Sequence, residues 1–236
     1  MKALLICGTE HKGSTYRIGR MLLDRLGCTE EDVREIFLPR DLPEPCCGCG
    51  LCFMENERKC PHYGYLEPVT AAMEAADLLV FTSPVYVFHV TGQMKSLLDH
   101  YGYRWMVHRP AASMFFKQAV CIATAAGAGM KSTIRDMKDS LSFWGVGRIF
   151  TYGKAVQAIR WAEVSEAKKQ EIGKDMARLA RRLKQREGRV TPSLKVKMLF
   201  GVMRLVQRRG GFNPADYEYW KSMGWLERKR PWRKDA

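Results

Sequence analysis

Five of the eight cysteines in this 236-residue chain fall between Cys46 and Cys60. Cys46, Cys49 and Cys52 are spaced by two intervening residues, Cys60 follows after seven more, and Cys47 is a spare. Two-residue gaps suit thiolates that converge on one small object, and the longer last gap lets the chain curl back to complete the set. Compact iron–sulfur runs of this kind place Pro after the last ligand, and Pro61 follows Cys60. Zinc sites more often use two separated pairs. The spacing therefore leaves three chemistries open: an iron–sulfur centre on Cys46, Cys49, Cys52 and Cys60, zinc on the same residues, or reduced, redox-active thiols. Cys7 and Cys121 lie in apolar runs and read as inert core residues.

A second constellation opens the chain. Lys2 to Cys7 is an apolar run of strand length, Gly8 to Thr15 is rich in Gly, Ser and Thr, and Tyr16, Ile18, Met21, Leu22 and Leu26 recur at helical spacing. Strand, small-residue loop and helix is an arrangement that holds phosphate, because the first helical turn has unpaired N–H groups and a dipole that favours an anion. Thr9, His11, Gly13, Ser14 and Thr15 are the candidate contacts. The Walker pattern is absent, since Lys12 precedes Gly13, and so is the three-glycine dinucleotide fingerprint. The ordinary alternative is a strand-to-helix turn capped by Ser14.

These residues need a scaffold, and the sequence supplies an alternating one. Strands are expected at 33–38, 77–82, 118–123 and 148–152 after the first. Helices are expected from Leu66, with Pro68 in the first turn, and at 92–105, 130–144 and 164–186. Five alternations of strand and helix predict a parallel sheet covered on both faces, with ligands beyond the carboxyl ends of the strands. The loops at 8–15, 83–89 and 124–129 would converge there. The cysteine loop leaves the second strand and would bring its sulfurs to the same edge.

With hydrophobic residues at 46%, the chain is globular, and no apolar run is long enough to span a membrane. Met1-Lys2 leads straight into the first strand, so a cytoplasmic protein without a disulfide framework is expected. The net charge of +14 is uneven: from Arg178 onward 17 Lys/Arg face 5 Asp/Glu, while the first 177 residues carry a net of +2. A nearly neutral body argues against a nucleic-acid partner.

Taken in order, Gly8-Thr9 with Gly13-Ser14-Thr15, the cysteines at 46–60, Ser83-Pro84-Val85-Tyr86 with Gly92 and Lys95, and the Thr124–Gly129 loop resemble the flavodoxin-like NAD(P)H-dependent FMN reductases, in their iron–sulfur flavoprotein branch. The resemblance covers roughly residues 1–155. It implies an α/β three-layer sandwich with strand order 2-1-3-4-5 and FMN phosphate in the 9–15 loop. Pro84, Val85, Tyr86 and Phe88 would then lie along the isoalloxazine, Ala125, Gly127 and Gly129 would close the other side, and the cysteines would carry a [4Fe–4S] cluster. An apolar slot with small residues opposite is what a flavin needs. No catalytic residue is implied, since the flavin carries the chemistry.

The domain reading is a flavodoxin-like FMN-binding body over 1–189 and a basic helical extension over 190–236, the body folding without the extension. In the extension, 195–209 reads as a helix, and Asn213-Pro214 caps a second, aromatic one. It would pack on the body or on a homodimer partner, or lie as a basic amphipathic segment on an anionic membrane surface. Three functions follow as expectations. The first is an enzyme passing electrons from NAD(P)H through FMN to a small acceptor. The second is an iron–sulfur flavoprotein exchanging single electrons with a ferredoxin-like partner. The third is a non-catalytic flavodoxin-like module that binds through its basic tail.

Overall fold

The computed structural model describes residues 1–227 and 229–233. Its centre is a sheet of five parallel strands, β1 (Ala3–Cys7), β2 (Val33–Phe37), β3 (Leu78–Pro84), β4 (Gln118–Ala125) and β5 (Arg148–Ala155), in the order 2-1-3-4-5. This is the flavodoxin-like architecture expected. Every residue of β1 is buried, whereas β5 at the edge is only partly covered. That difference is why β1, β3 and β4 read as continuous apolar runs.

Because side chains alternate across a strand, β1 feeds two cores. Leu4 and Ile6 face one layer, formed by α3 (Tyr63–Ala75), α4 (Gly92–His100) and α5 (Met130–Phe143), in a core that also holds Met73, Leu97 and Leu141. Ala3, Leu5 and Cys7 face the other, formed by α1 (Ser14–Leu26) and α6 (Glu166–Lys184), with Ile18, Leu22, Ile172 and Met176. Burying each such aliphatic side chain contributes roughly 1.5–3 kcal/mol. Helix α3 begins at Tyr63, three residues before the expected start, so Pro68 sits inside it rather than in its first turn. Helix α4 stops at His100 and hands over to a short 3-10 turn at Gly102–Arg104. A four-residue helix, α2 (Leu51–Met54), lies within the cysteine loop.

Beyond α6, two helices follow: α7 (Leu194–Arg208), capped by Ser193, and α8 (Pro214–Ser222), capped by Asn213 with Pro214 at its start. They build a third core in which Val196, Phe200, Trp220 and Trp225 surround Met106 and Phe115 of the preceding body. Phe200 lies 4.9 Å from Trp220 and 5.7 Å from Phe115, ring centre to ring centre. Residues from both sides of the 189/190 boundary share this core.

Candidate functional site

At the carboxyl edge of β1, β3 and β4 lies a cavity of about 340 Å³. One side is formed by Thr9, His11, Gly13, Ser14 and Thr15, and another by Pro84, Val85, Tyr86 and Ala125. Nine residues named from sequence are therefore brought to one cavity. Helix α1 starts here with no side chain capping it, so its first N–H groups are unused by the helix. Ser14 does not act as the cap: its Oγ is buried without a hydrogen-bond partner. The Thr15 and Thr124 hydroxyls meet at 2.6 Å, which ties the start of α1 to the end of β4. A Cβ at Gly13 would stand 2.6 Å from Nε2 of His11, so the exposed His11 ring lies close over the loop backbone. On the floor, burial pushes the Cys7 thiol up to about 12, so it stays protonated and inert.

Phe88, Gly127 and Gly129 do not line this cavity. The reason is a tight turn at 86–89. Tyr86 and His89 exchange two backbone hydrogen bonds at 3.0 Å, and Val87 and Phe88 take left-handed backbone, with φ of 48° and 66°. That conformation turns Phe88 outward, 64% exposed, and sets its backbone against Gly129. Gly129 has a φ of 96°, and a Cβ there would clash with Val85 at 2.6 Å. Positive φ at a β-branched residue is strained and persists only where the surroundings hold it. Here Ser132 donates to the Phe88 carbonyl, while His89 Nδ1 lies 2.9 Å from Asp136. Gly127 has open space around it.

The cysteine loop lies outside the cavity lining. None of its sulfurs lines the cavity; Cys52 and Cys60 pack instead against the core under α3 and α4. Cys60, His62 and His100 bring their ligand atoms within 4.8 Å of one another. His100 is the last residue of α4, about 12 Å along the helix from Gly92. Its Nδ1 donates to the Ser96 carbonyl at 2.9 Å and burial lowers its pKa, so its Nε2 carries a lone pair, which accepts from His62 Nδ1 at 3.1 Å. Imidazole oriented in this way by a backbone carbonyl is a ready metal ligand. The thiols also feel one another. Burial pushes Cys52 up to about 11, and the sulfurs of Cys60, Cys46 and Cys49 push the same way. Cys46, Cys47 and Cys49 are exposed.

This loop is held from the far end of the chain. Arg109 donates to the Cys52 and Phe53 carbonyls and, at 2.5 Å, to Asp216 of α8. Asp216 is fully buried and also accepts from His108 at 2.7 Å and from Asn213 at 2.7 Å. Around it, Gln207, Trp220 and Tyr219 donate to the carbonyls of Val107, His108 and Pro110. A buried carboxylate needs this density of donors.

Comparison with known proteins bears on what the cavity serves. The family model described as NADPH-dependent FMN reductase matches residues 1–158. The chain belongs to this family. It is thus an NAD(P)H-dependent flavin oxidoreductase, and the non-catalytic reading is set aside. The reductase is 26% identical over 233 residues to an iron–sulfur flavoprotein of Archaeoglobus fulgidus, covering 96% of this chain and 100% of the relative. It is 28% identical over 145 residues to another from Methanocaldococcus jannaschii, covering 58% of this chain and 69% of the relative. Among solved structures, an FMN-dependent NADH-azoreductase from Bacillus anthracis in complex with FMN shares the fold, with a TM-score of 0.52 and 13% identity over 76% of this chain and 100% of that one.

Sequence reasoning missed part of the reductase's cavity. Val156, Ala158 and Ile159, beyond β5, line it, as do Tyr16 and Thr82, whereas Thr124 and Ala126 belong to the 124–129 loop expected there. The available signal was positional: the fifth strand also ends at the carboxyl edge. It missed Asp216 as well, since an acidic residue in the first turn of a helix is ordinary. Removing one partner of a buried pair costs about 3–5 kcal/mol. Asp216→Ala should therefore lower unfolding stability by that order in urea and, in metal-free protein, speed chemical modification of Cys52. Unchanged Cys52 reactivity would show that Arg109 holds the loop without its carboxylate.

Proposed function

We propose that the cavity binds FMN and that the reductase passes electrons from NAD(P)H to a small-molecule acceptor. The observation that carries this reading is the buried, unpartnered Ser14 hydroxyl beside the uncapped start of α1, at the mouth of a slot walled by Pro84, Val85 and Tyr86. An anion with several acceptor oxygens satisfies both the orphan hydroxyl and the free helix N–H groups. Thr9, Ser14 and Thr15 would hold the phosphate, and His11 would lie beside it. Pro84, Val85 and Tyr86 would flank the ring system, with Ala125 and Ala126 opposite and Val156, Ala158 and Ile159 shielding it from water. One phosphate loop and no dinucleotide fingerprint favour FMN over FAD. When bound, FMN supplies hydride acceptance and onward reduction. The chain's part is to bind it, orient it and exclude water. Ser14→Asp sets a carboxylate against the phosphate and should weaken FMN binding at least about tenfold in a fluorescence titration. Wild-type affinity in that variant would move the phosphate elsewhere.

A second reading concerns the cysteine loop. Cys46, Cys49, Cys52 and Cys60 would hold a [4Fe–4S] cluster that exchanges single electrons with a ferredoxin-like partner. It is supported by the spacing of the four cysteines and by the full-length likeness to iron–sulfur flavoproteins. The competing grouping, Cys60 with His62 and His100, is a donor set suited to zinc. Both use the Cys60 sulfur, so one excludes the other. Metal analysis of anaerobically purified protein separates them. Iron with acid-labile sulfide is the expected result, whereas zinc without iron that His100→Ala releases and Cys49→Ala retains would assign the site to Cys60, His62 and His100.

A further inference from the structure

Helix α7 has its apolar residues on two opposite poles. Val196 and Phe200, with Gln207, are buried against the body. Leu194, Met198, Val202 and Leu205 recur at intervals of four, four and three, which sets them along one stripe. That stripe faces away from the body: the four are 73%, 63%, 54% and 57% exposed, and Phe212 beyond the helix is 69% exposed. The outer pole of a surface helix is ordinarily polar, so this pattern calls for something to cover it.

The charge around the stripe says what would cover it. Between Glu187 and Asp216 there are six Lys/Arg and no Asp or Glu. Lys195, Lys197, Arg208 and Arg209 are exposed beside the stripe. Among the described residues no carboxylate pairs with any of these four or with Arg204. Arg204 and Arg208 both donate to the Leu226 carbonyl, which leaves their charge uncompensated. Burial and the nearby cations of Arg230 and Arg208 lower the pKa of Arg204, a sign of crowded positive charge. A second copy docking the same face would set this cationic rim against its like, with no acid in the segment to offset it. An anionic bilayer complements both parts, taking aliphatic side chains between its headgroups and cations beside its phosphates.

We propose that α7 and Phe212 form an interfacial docking surface for anionic phospholipid membranes. The helix lies flat, presenting about 22 Å of its length. It does not cross: no helix among the described residues is long and apolar enough to span a bilayer. Leu194, Met198, Val202, Leu205 and Phe212 insert shallowly, while Lys195, Lys197, Arg208 and Arg209 meet the headgroups.

The test is co-sedimentation of the full chain with vesicles of phosphatidylcholine alone and of phosphatidylcholine with phosphatidylglycerol. Wild type should bind the anionic vesicles at least about tenfold more tightly, with binding weakened by high salt. Met198→Glu with Leu205→Glu, at exposed positions, should abolish binding while leaving thermal stability and FMN titration unchanged. Lys195→Glu with Lys197→Glu should weaken it on anionic vesicles. Equal, negligible binding to both vesicle types would overturn the proposal. So would full binding by the stripe variant, which would reduce the effect to surface charge alone. Sedimentation equilibrium supplies the remaining outcome: a wild-type dimer that the stripe variant converts to monomer would give the face to a second copy and overturn it as well.

Discussion

A parallel sheet must be covered on both faces, and that constraint organises the molecule. With α1 and α6 on one side and α3, α4 and α5 on the other, β1 is sealed completely. Polar chemistry is then confined to the edges of the layers. At the carboxyl edge, β1 delivers the chain to the start of α1, β3 delivers Pro84–Tyr86, and β4 delivers Thr124–Ala126. The Thr15–Thr124 hydroxyl contact locks two of these loops together, and Thr91 donates to the Gly8 carbonyl at 2.7 Å to join the third. The cavity is thus a consequence of topology, and its polarity follows from where the first helix begins.

The cysteine loop obeys a different constraint. It is a long excursion after β2 with little regular structure, so its order depends on what grips it. Phe53 packs on His108, Arg109 holds the Cys52 and Phe53 carbonyls, and Asp216 holds Arg109. The extension is therefore part of the structure that orders the cysteines. Its inner face serves that purpose and the Trp220–Phe200–Trp225 core, while its outer face carries the apolar stripe and the cations. One segment thus links the order of the cysteine loop to the surface the protein presents.

Much of this was legible in the sequence. Continuous apolar runs revealed the buried strands, and the helical spacing that follows each small-residue loop revealed the layers. Ser14, Thr15, Pro84, Val85, Tyr86 and Ala125 were found because loops that follow consecutive buried strands must share an edge. What escaped depended on backbone geometry or on distant partners. Nothing in the types of Val87 and Phe88 announces left-handed backbone, so Phe88 was expected inside. Cys60, His62 and His100 are joined by the end of α4, a contact that local spacing cannot express. On α7 the basic amphipathic character was legible, but not which pole faces outward, because Val196 and Phe200 on the opposite side are the residues that pack on the body.

The central claim is that the cavity beside Ser14 is the site of one FMN per chain. Cofactor released by denaturing the purified reductase, identified by chromatography and counted against protein, tests it most directly. The account predicts FMN at about one per chain after reconstitution, with visible absorbance that NADH or NADPH bleaches under anaerobic conditions. Release of FAD, or protein that takes up no flavin, would contradict it.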